Sequence, residues 1–210
     1  MPEHHRTLLN KFGRGQAIVR IGADQLTDKP CNSPDSNQLK KESGWPDFAI
    51  YAPIFAAAGD AVIVGAAPSA DDAAASRDDS IAAFGDDAAL FGLSVALPNA
   101  EQQTREQGMQ DGHCGALPPE MLPWFVDQQR FRDAVFARAA LHANQDLGGP
   151  VVVITGNGHA RNDWGMPVYL DAAAPDLSVI SVGQITETQD MPPFDIWRVG
   201  PAVDRPDPCA

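Results

Sequence analysis

Short unbroken apolar runs, each stopped by Gly, Pro or Asp, constrain this chain more than any other feature. Runs without polar alternation suit strands covered on both faces, as in parallel or mixed sheets with helices packed outside. Runs of this kind place strands at residues 16–21, 61–66, 151–155 and 178–182, with a further one at 196–199. The clearest helix starts near Pro119, a residue suited to a first helical turn, and passes through Phe125, Gln129, Arg132 and Phe136 towards Asn144, where Gly148 and Gly149 stop it. Pro123 falls in its first turns and leaves a small irregularity. A shorter helix over 46–58 carries Phe48, Tyr51, Ile54 and Phe55 at spacings of three and four and ends at Gly59. The fold class that follows is α/β: a mixed or mostly parallel central sheet flanked by helices. The 210 residues suffice for one substantial core, and no repeat or linker divides them, so residues 1–210 read as one domain.

Between the strands, residues 69–87 are rich in Asp and Ala, with Asp pairs preceding short Ala stretches, as expected of acids at helix N-termini on a solvated surface. The segment lacks the spacing and central Gly of a calcium loop. Residues 27–42 and the tail 201–210 read as loops.

Charge excludes some partners. With 28 acidic and 15 basic side chains the formal net charge is −13, so the summed field repels phosphate backbones and anionic lipid, and nucleic acid is not an expected partner. An anionic ligand then needs a local cation. Cys31, Cys114 and Cys209 are far apart with no C-x-x-C spacing, which argues against a zinc knuckle or a dense disulfide scaffold. Cys114, next to His113, could bind a soft metal, but a buried free thiol is the commoner state and is the reading taken. No apolar run is long enough to form a transmembrane segment, and the first thirty residues lack the zones of a signal peptide.

The stretch with most chemistry is Val151 to Arg161, where a strand runs into Gly156-Asn157-Gly158-His159-Ala160-Arg161. Ligands of open α/β sheets bind outside the carboxyl ends of strands, and glycines there let the backbone approach them. His159 can ligate a metal or accept a proton, and Arg161 offers a planar fork of donors to a carboxylate. A Gly turn with a surface histidine explains the same residues. On the long helix, Gln129, Arg132 and Asp133 share one face, which suits a matched structural pair of Arg132 and Asp133, or of either with a neighbour. His142 sits at the exposed end of that helix, and Trp197 reads as core.

The longer run Gly156-Asn157-Gly158-His159-Ala160-Arg161-Asn162-Asp163-Trp164-Gly165-Met166-Pro167-Val168-Tyr169-Leu170 is similar to the ChaN signature, in which G-N-G-H-x-R precedes a D-x-G-V-P-x-Y-L ending. Ser43-Gly44-Trp45-Pro46 with Tyr51 and Pro53 resembles the G-W-P-x-x-x-x-Y-x-P segment of that family. His113-Cys114 with Leu117-Pro118-Pro119-Glu120-Met121 resembles its H-C-x-x-L-P-x-E-M segment, and Gln129, Arg132-Asp133 and Ala137 its Q-x-x-R-D-x-x-x-A helix. The chain thus resembles the ChaN family of haem-binding uptake proteins in the Tiki superfamily, in family order from about Ser43 to Leu170.

That resemblance implies haem as the cofactor, captured without reaction by a homodimer around stacked haems, in a lipoprotein-like setting, periplasmic or membrane-associated. It implies cofactor contacts from Tyr51, His113, His159, Arg161 and Tyr169, with Tyr51 first among iron donors because a phenolate binds ferric haem. Tyr51 also stands beside Trp45, Phe48 and Phe55, which could wall a porphyrin. The G-E-x-H-x-N-P-x-H-H block of the family is reduced here to Pro2-Glu3-His4-His5, and Val19-Arg20-Ile21-Gly22 stands where the family has an aromatic, Glu and Met. The resemblance therefore implies an N-terminally incomplete member. Its erythromycin-esterase-like relatives imply an alternative, a hydrolase in which His4, His5, His113 and His159 hold a divalent metal that activates water. The missing glutamate counts against it. A degenerate inactive copy is the third reading. The haem reading expects the Gly-rich turn to face Tyr51 and His113 across a common cavity.

Overall fold

The computed structural model describes residues 17–20, 57, 62–147, 150–201 and 209. The chain divides into two compact units, one made of residues 1–73 and 135–155, the other of residues 74–134 and 156–210.

In the first unit, β1 (Ala17–Arg20), β2 (Val62–Gly65) and β3 (Val151–Ile154) form a three-stranded parallel sheet in the order β2-β1-β3. Ala17 stands opposite both Val62 and Val151, and the register runs unbroken to Arg20 between Gly65 and Ile154. Parallel neighbours need long crossovers, and the chain between β2 and β3 supplies helices. As the apolar runs imply, the sheet is parallel. The strand β3 is less completely covered than a doubly buried strand, however: Val152 and Ile154, which share one face, are 48% and 36% exposed.

The acidic segment does form short helices with carboxylates at their starts. α1 (Ala70–Ala75) has Asp71 and Asp72 in its first turn, and the Ser69 hydroxyl accepts the Asp72 amide at 3.0 Å. α2 (Ser80–Phe84) is capped by Asp79, whose carboxylate accepts the amides of Ile81 and Ala82 at 3.0 and 2.9 Å.

α3 (Asn99–Gly112) was not foreseeable from apolar periodicity, since its one buried residue is Arg105. Side-chain pairs one turn apart support it: Gln102 to Glu106 at 2.7 Å, Arg105 to Glu101, and Gln107 to Asp111 at 2.7 Å. After it, Cys114 and Gly115 adopt positive φ, 60° and 71°. Cys114 is exposed and joined to Cys209 by a disulfide with Cα atoms 5.3 Å apart, which corrects the reading of a buried free thiol.

A 3-10 turn at Pro119–Met121 leads into α4 (Leu122–Leu147), which runs 26 residues. Pro123 causes no break, because at the helix start its missing N–H has no intrahelical partner to lose. The first half of α4 belongs to the second unit and is fastened there by polar contacts. The Trp124 indole donates to the Arg77 carbonyl at 2.9 Å, and Gln128 exchanges hydrogen bonds with Ser76 at 2.7 and 3.1 Å. Arg130 is buried and donates to the carbonyls of Leu93 and Val95 at 3.1 and 2.6 Å. Around it Phe84, Phe91 and Phe131 meet edge to face, with centroids 5.4 and 6.4 Å from Phe84.

β3 is followed by α5 (Asn157–Ala160) and α6 (Met166–Ala173), then by β4 (Val182–Ile185) and β5 (Ile196–Val199), a parallel pair in which Val182 faces Ile196 and Ile185 faces Val199. β4 starts where the expected strand 178–182 ends. Ser181 precedes it, its amide held by the Asp195 carboxylate at 2.7 Å and its carbonyl accepting the Ile196 N–H at 3.1 Å, and the paired register with β5 starts at Val182. Trp197 is 42% exposed on this outer strand and is not core.

Candidate functional site

The G-N-G-H-A-R run becomes the turn and short helix α5, entered through Gly156 in extended backbone and closed by the His159 amide on the Gly156 carbonyl at 3.0 Å. Three contacts bind this loop to the strands that follow. The Asn157 amide donates to the Gln184 carbonyl at 2.5 Å and accepts the Gln184 N–H at 3.2 Å, reproducing with a side chain the pairing of a neighbouring strand. The Ser181 hydroxyl donates to the Ala160 carbonyl, and the Asn162 backbone N–H donates to the Pro193 carbonyl at 2.8 Å. Gly165 closes the loop from the other side. A Cβ there would lie 2.5 Å from the His159 carbonyl oxygen and 2.7 Å from that of Arg161.

The loop delivers His159 to α4. Its Nδ1 lies 2.6 Å from Asp133 Oδ1 and 2.9 Å from Gln129 Nε2, while Gln129 Nε2 lies 3.3 Å from Asp133 Oδ2. Gln129 and Asp133 are four residues apart, so one turn of helix presents both to the same ring. Asp133 is fully buried. Burial pushes its carboxyl above the usual carboxylate range, and the contacts with His159 and Gln129 and the charge of Arg105 pull the other way. The expected pairing of Arg132 with Asp133 is not formed. Arg132 is exposed, and the partner of Asp133 is the histidine.

Arg161 is engaged as well. Its Nε and Nη2 meet the two carboxylate oxygens of Asp163 at 2.5 and 2.6 Å, and its guanidinium carbon lies 3.4 Å from the centroid of the Trp164 ring. Arg105 approaches the same ring at 5.3 Å. A ligand carboxylate would therefore compete with Asp163 for Arg161.

Tyr169, on α6, is only 4% exposed. Burial raises its phenol above the usual range, against the opposing charges of Arg130 and Arg105, so it keeps its proton more firmly than a free tyrosine. His113 caps the end of α3 and is exposed. Its Nδ1 lies 2.7 Å from the Met109 carbonyl, and its ring is 5.4 Å from Phe125. A carbonyl only accepts, so Nδ1 carries a hydrogen in this contact. Tyr51, His4 and His5, with Trp45, Phe48 and Phe55, lie outside the described residues. Among the described residues no three of His, Cys, Asp and Glu gather into a metal-holding group, and no helix is long and apolar enough to cross a membrane.

Of the residues singled out in the sequence, His159 thus has buried and specific partners, Arg161 is paired and stacked, and His113 is oriented by its own helix. Reasoning from spacing found Gln129 and Asp133 as a polar stripe but not their partner. It missed Asn157, Trp164 and Arg105 as members of the same region. For Asn157 and Trp164 the available signal was their place within or beside the G-N-G-H-A-R motif, while Arg105, on α3, gave none.

Fold and site together define an α/β protein whose Gly-rich loop after a sheet strand holds a histidine against a buried carboxylate. The family described as haem-binding uptake, Tiki superfamily, ChaN, matches residues 6–170, and this chain belongs to it. Among solved structures, one titled as cofacial haem binding to ChaN of Campylobacter jejuni superposes with a TM-score of 0.61 over 88% of this chain and 74% of that one, at 15% identity. The fold is therefore shared. No curated protein matches the chain.

Proposed function

We propose that this protein captures haem for iron uptake and performs no reaction on it. Tyr51 and His113 approach the iron, His159 and Arg161 line the pocket, and one domain spanning the chain holds the ligand. The observation that carries this reading is the run from Gly156 to Leu170: it falls inside the matched family span, and it is the segment folded around a carboxylate-held histidine. The donor chemistry suits the ligand. Imidazole and phenolate both bind ferric haem, and guanidinium suits its propionates. The buried phenol of Tyr169 fits an axial role less well than Tyr51, because a phenol that resists ionisation is a poor anionic donor. The ChaN structure from Campylobacter jejuni is described as binding haem cofacially, and we extend that arrangement to this chain as a homodimer enclosing stacked haems.

Haemin titrated into purified protein, followed at the Soret band, tests the reading. A saturable shift whose end point coincides with dimer formation in light scattering is expected, and Tyr51→Phe should alter the spectrum and weaken binding. Absence of any saturable shift, with chelator-sensitive hydrolysis of a peptide or ester panel instead, would replace haem capture by the metal-dependent hydrolase.

A further inference from the structure

The contact between α4 and α5 says more than that His159 is held. Two nitrogens that face each other cannot both donate, so Gln129 Nε2 and His159 Nδ1, 2.9 Å apart, need a third group to decide their roles. Asp133 decides them. Its Oδ1 is 2.6 Å from Nδ1 and its Oδ2 is 3.3 Å from the Gln129 amide, and a carboxylate can only accept. With the ionised carboxylate accepting from both, Nδ1 bears the ring hydrogen, Gln129 steadies the second oxygen, and the two nitrogens donate to the carboxylate rather than to each other. The opposite arrangement, with the Gln129 amide donating to Nδ1, would require the Asp133 carboxyl to carry the hydrogen between Oδ1 and the ring nitrogen.

We propose that Asp133, braced by Gln129, is a positioning residue that fixes His159 in its Nδ1–H form. The placement supports this. Asp133 is fully buried, so no solvent competes for the hydrogen bond, and it projects from the middle of a 26-residue helix that cannot shift locally. The histidine side is equally constrained, through the hydrogen bond of Asn157 to Gln184 of β4 and through Gly165 close against the His159 carbonyl. Carboxylates that accept from the far nitrogen of a ligating histidine set its tautomer, and their loss typically weakens such a site about 10–100-fold; the same orienting bond here acts on a histidine that lines the pocket. The inference rests on the haem-capture reading for the identity of the ligand, but not for the tautomer.

The test therefore has two arms. In the first, 15N NMR of the His159 ring in the protein without haemin reports which nitrogen carries the hydrogen. The wild type should show Nδ1–H, and Asp133→Asn, whose amide donates to Nδ1, should convert the ring to Nε2–H. In the second, haemin titration should show Asp133→Asn weaker than wild type by ~10-fold or more. His159→Asn should match that loss, and the double variant should add nothing to it. The wild-type tautomer needs no variant, and Gln129→Leu, which keeps the carboxylate, should retain Nδ1–H should Asp133→Asn not fold. An Nε2–H ring in the wild type overturns the proposal, as does a wild-type haemin affinity in a folded Asp133→Asn protein. A wild type that binds no haemin at all overturns the haem reading instead and leaves the tautomer result standing.

Discussion

Breaking the disulfide between Cys114 and Cys209 is the perturbation whose magnitude the structure fixes best. The bond closes a loop with a sequence separation of 95, tying the tail to the turn after α3. On the chain-entropy account, a crosslink of that span restricts the unfolded chain by about 4.7 kcal/mol at 25 °C, and measured disulfides contribute about 2–4. Total stabilities of natural domains are only about 5–15 kcal/mol. The effect should therefore be large. Urea unfolding of the oxidised protein, of the same protein with dithiothreitol, and of a Cys114→Ser, Cys209→Ser variant is the assay. The oxidised form should exceed the other two by ~2–4 kcal/mol, and those two should coincide. Superimposed curves for oxidised and reduced wild type would refute the reasoning, since a crosslink present in the folded protein cannot leave its unfolded chain unrestricted.

Three further outcomes are expected. Gly165→Ala should cost ~1–3 kcal/mol in thermal or urea unfolding, because its methyl would press on backbone oxygens that cannot swing aside. Tyr169 is an acid whose folded pKa lies above its ordinary value, so above about pH 10 the unfolded chain loses the proton first. Stability should fall as pH rises from there towards the folded pKa, and Tyr169→Phe should flatten that fall in a series of unfolding curves. Asp163→Asn removes the carboxylate that occupies Arg161, so haemin affinity should rise in the variant, by ~3-fold or more for one charge-assisted pair released.

The parallel sheet was legible because apolar runs without alternation mark strands that helices cover. Its register, with Ala17 opposite Val62 and Val151, was not, since nothing local encodes which run pairs with which. α3 escaped because a helix polar on every face has no apolar period to detect and is held by pairs such as Gln102 with Glu106. Trp197 misled for the opposite reason: its size suggests core, yet all four residues of its strand are exposed. At the site, spacing on α4 brought Gln129 and Asp133 to one face. The choice of His159 over Arg132 as partner depends on a contact across 26 residues of sequence, which only the folded loop supplies. The disulfide was hidden likewise, because two cysteines 95 residues apart carry no local sign of pairing.

The most direct measurement is a crystal structure of the protein loaded with haemin. Iron bonded to Tyr51 or His113, with the porphyrin edge against the loop that carries His159 and Arg161, is what the account requires. Haem bound at a surface remote from that loop, or iron ligated by no residue of this chain, would contradict it.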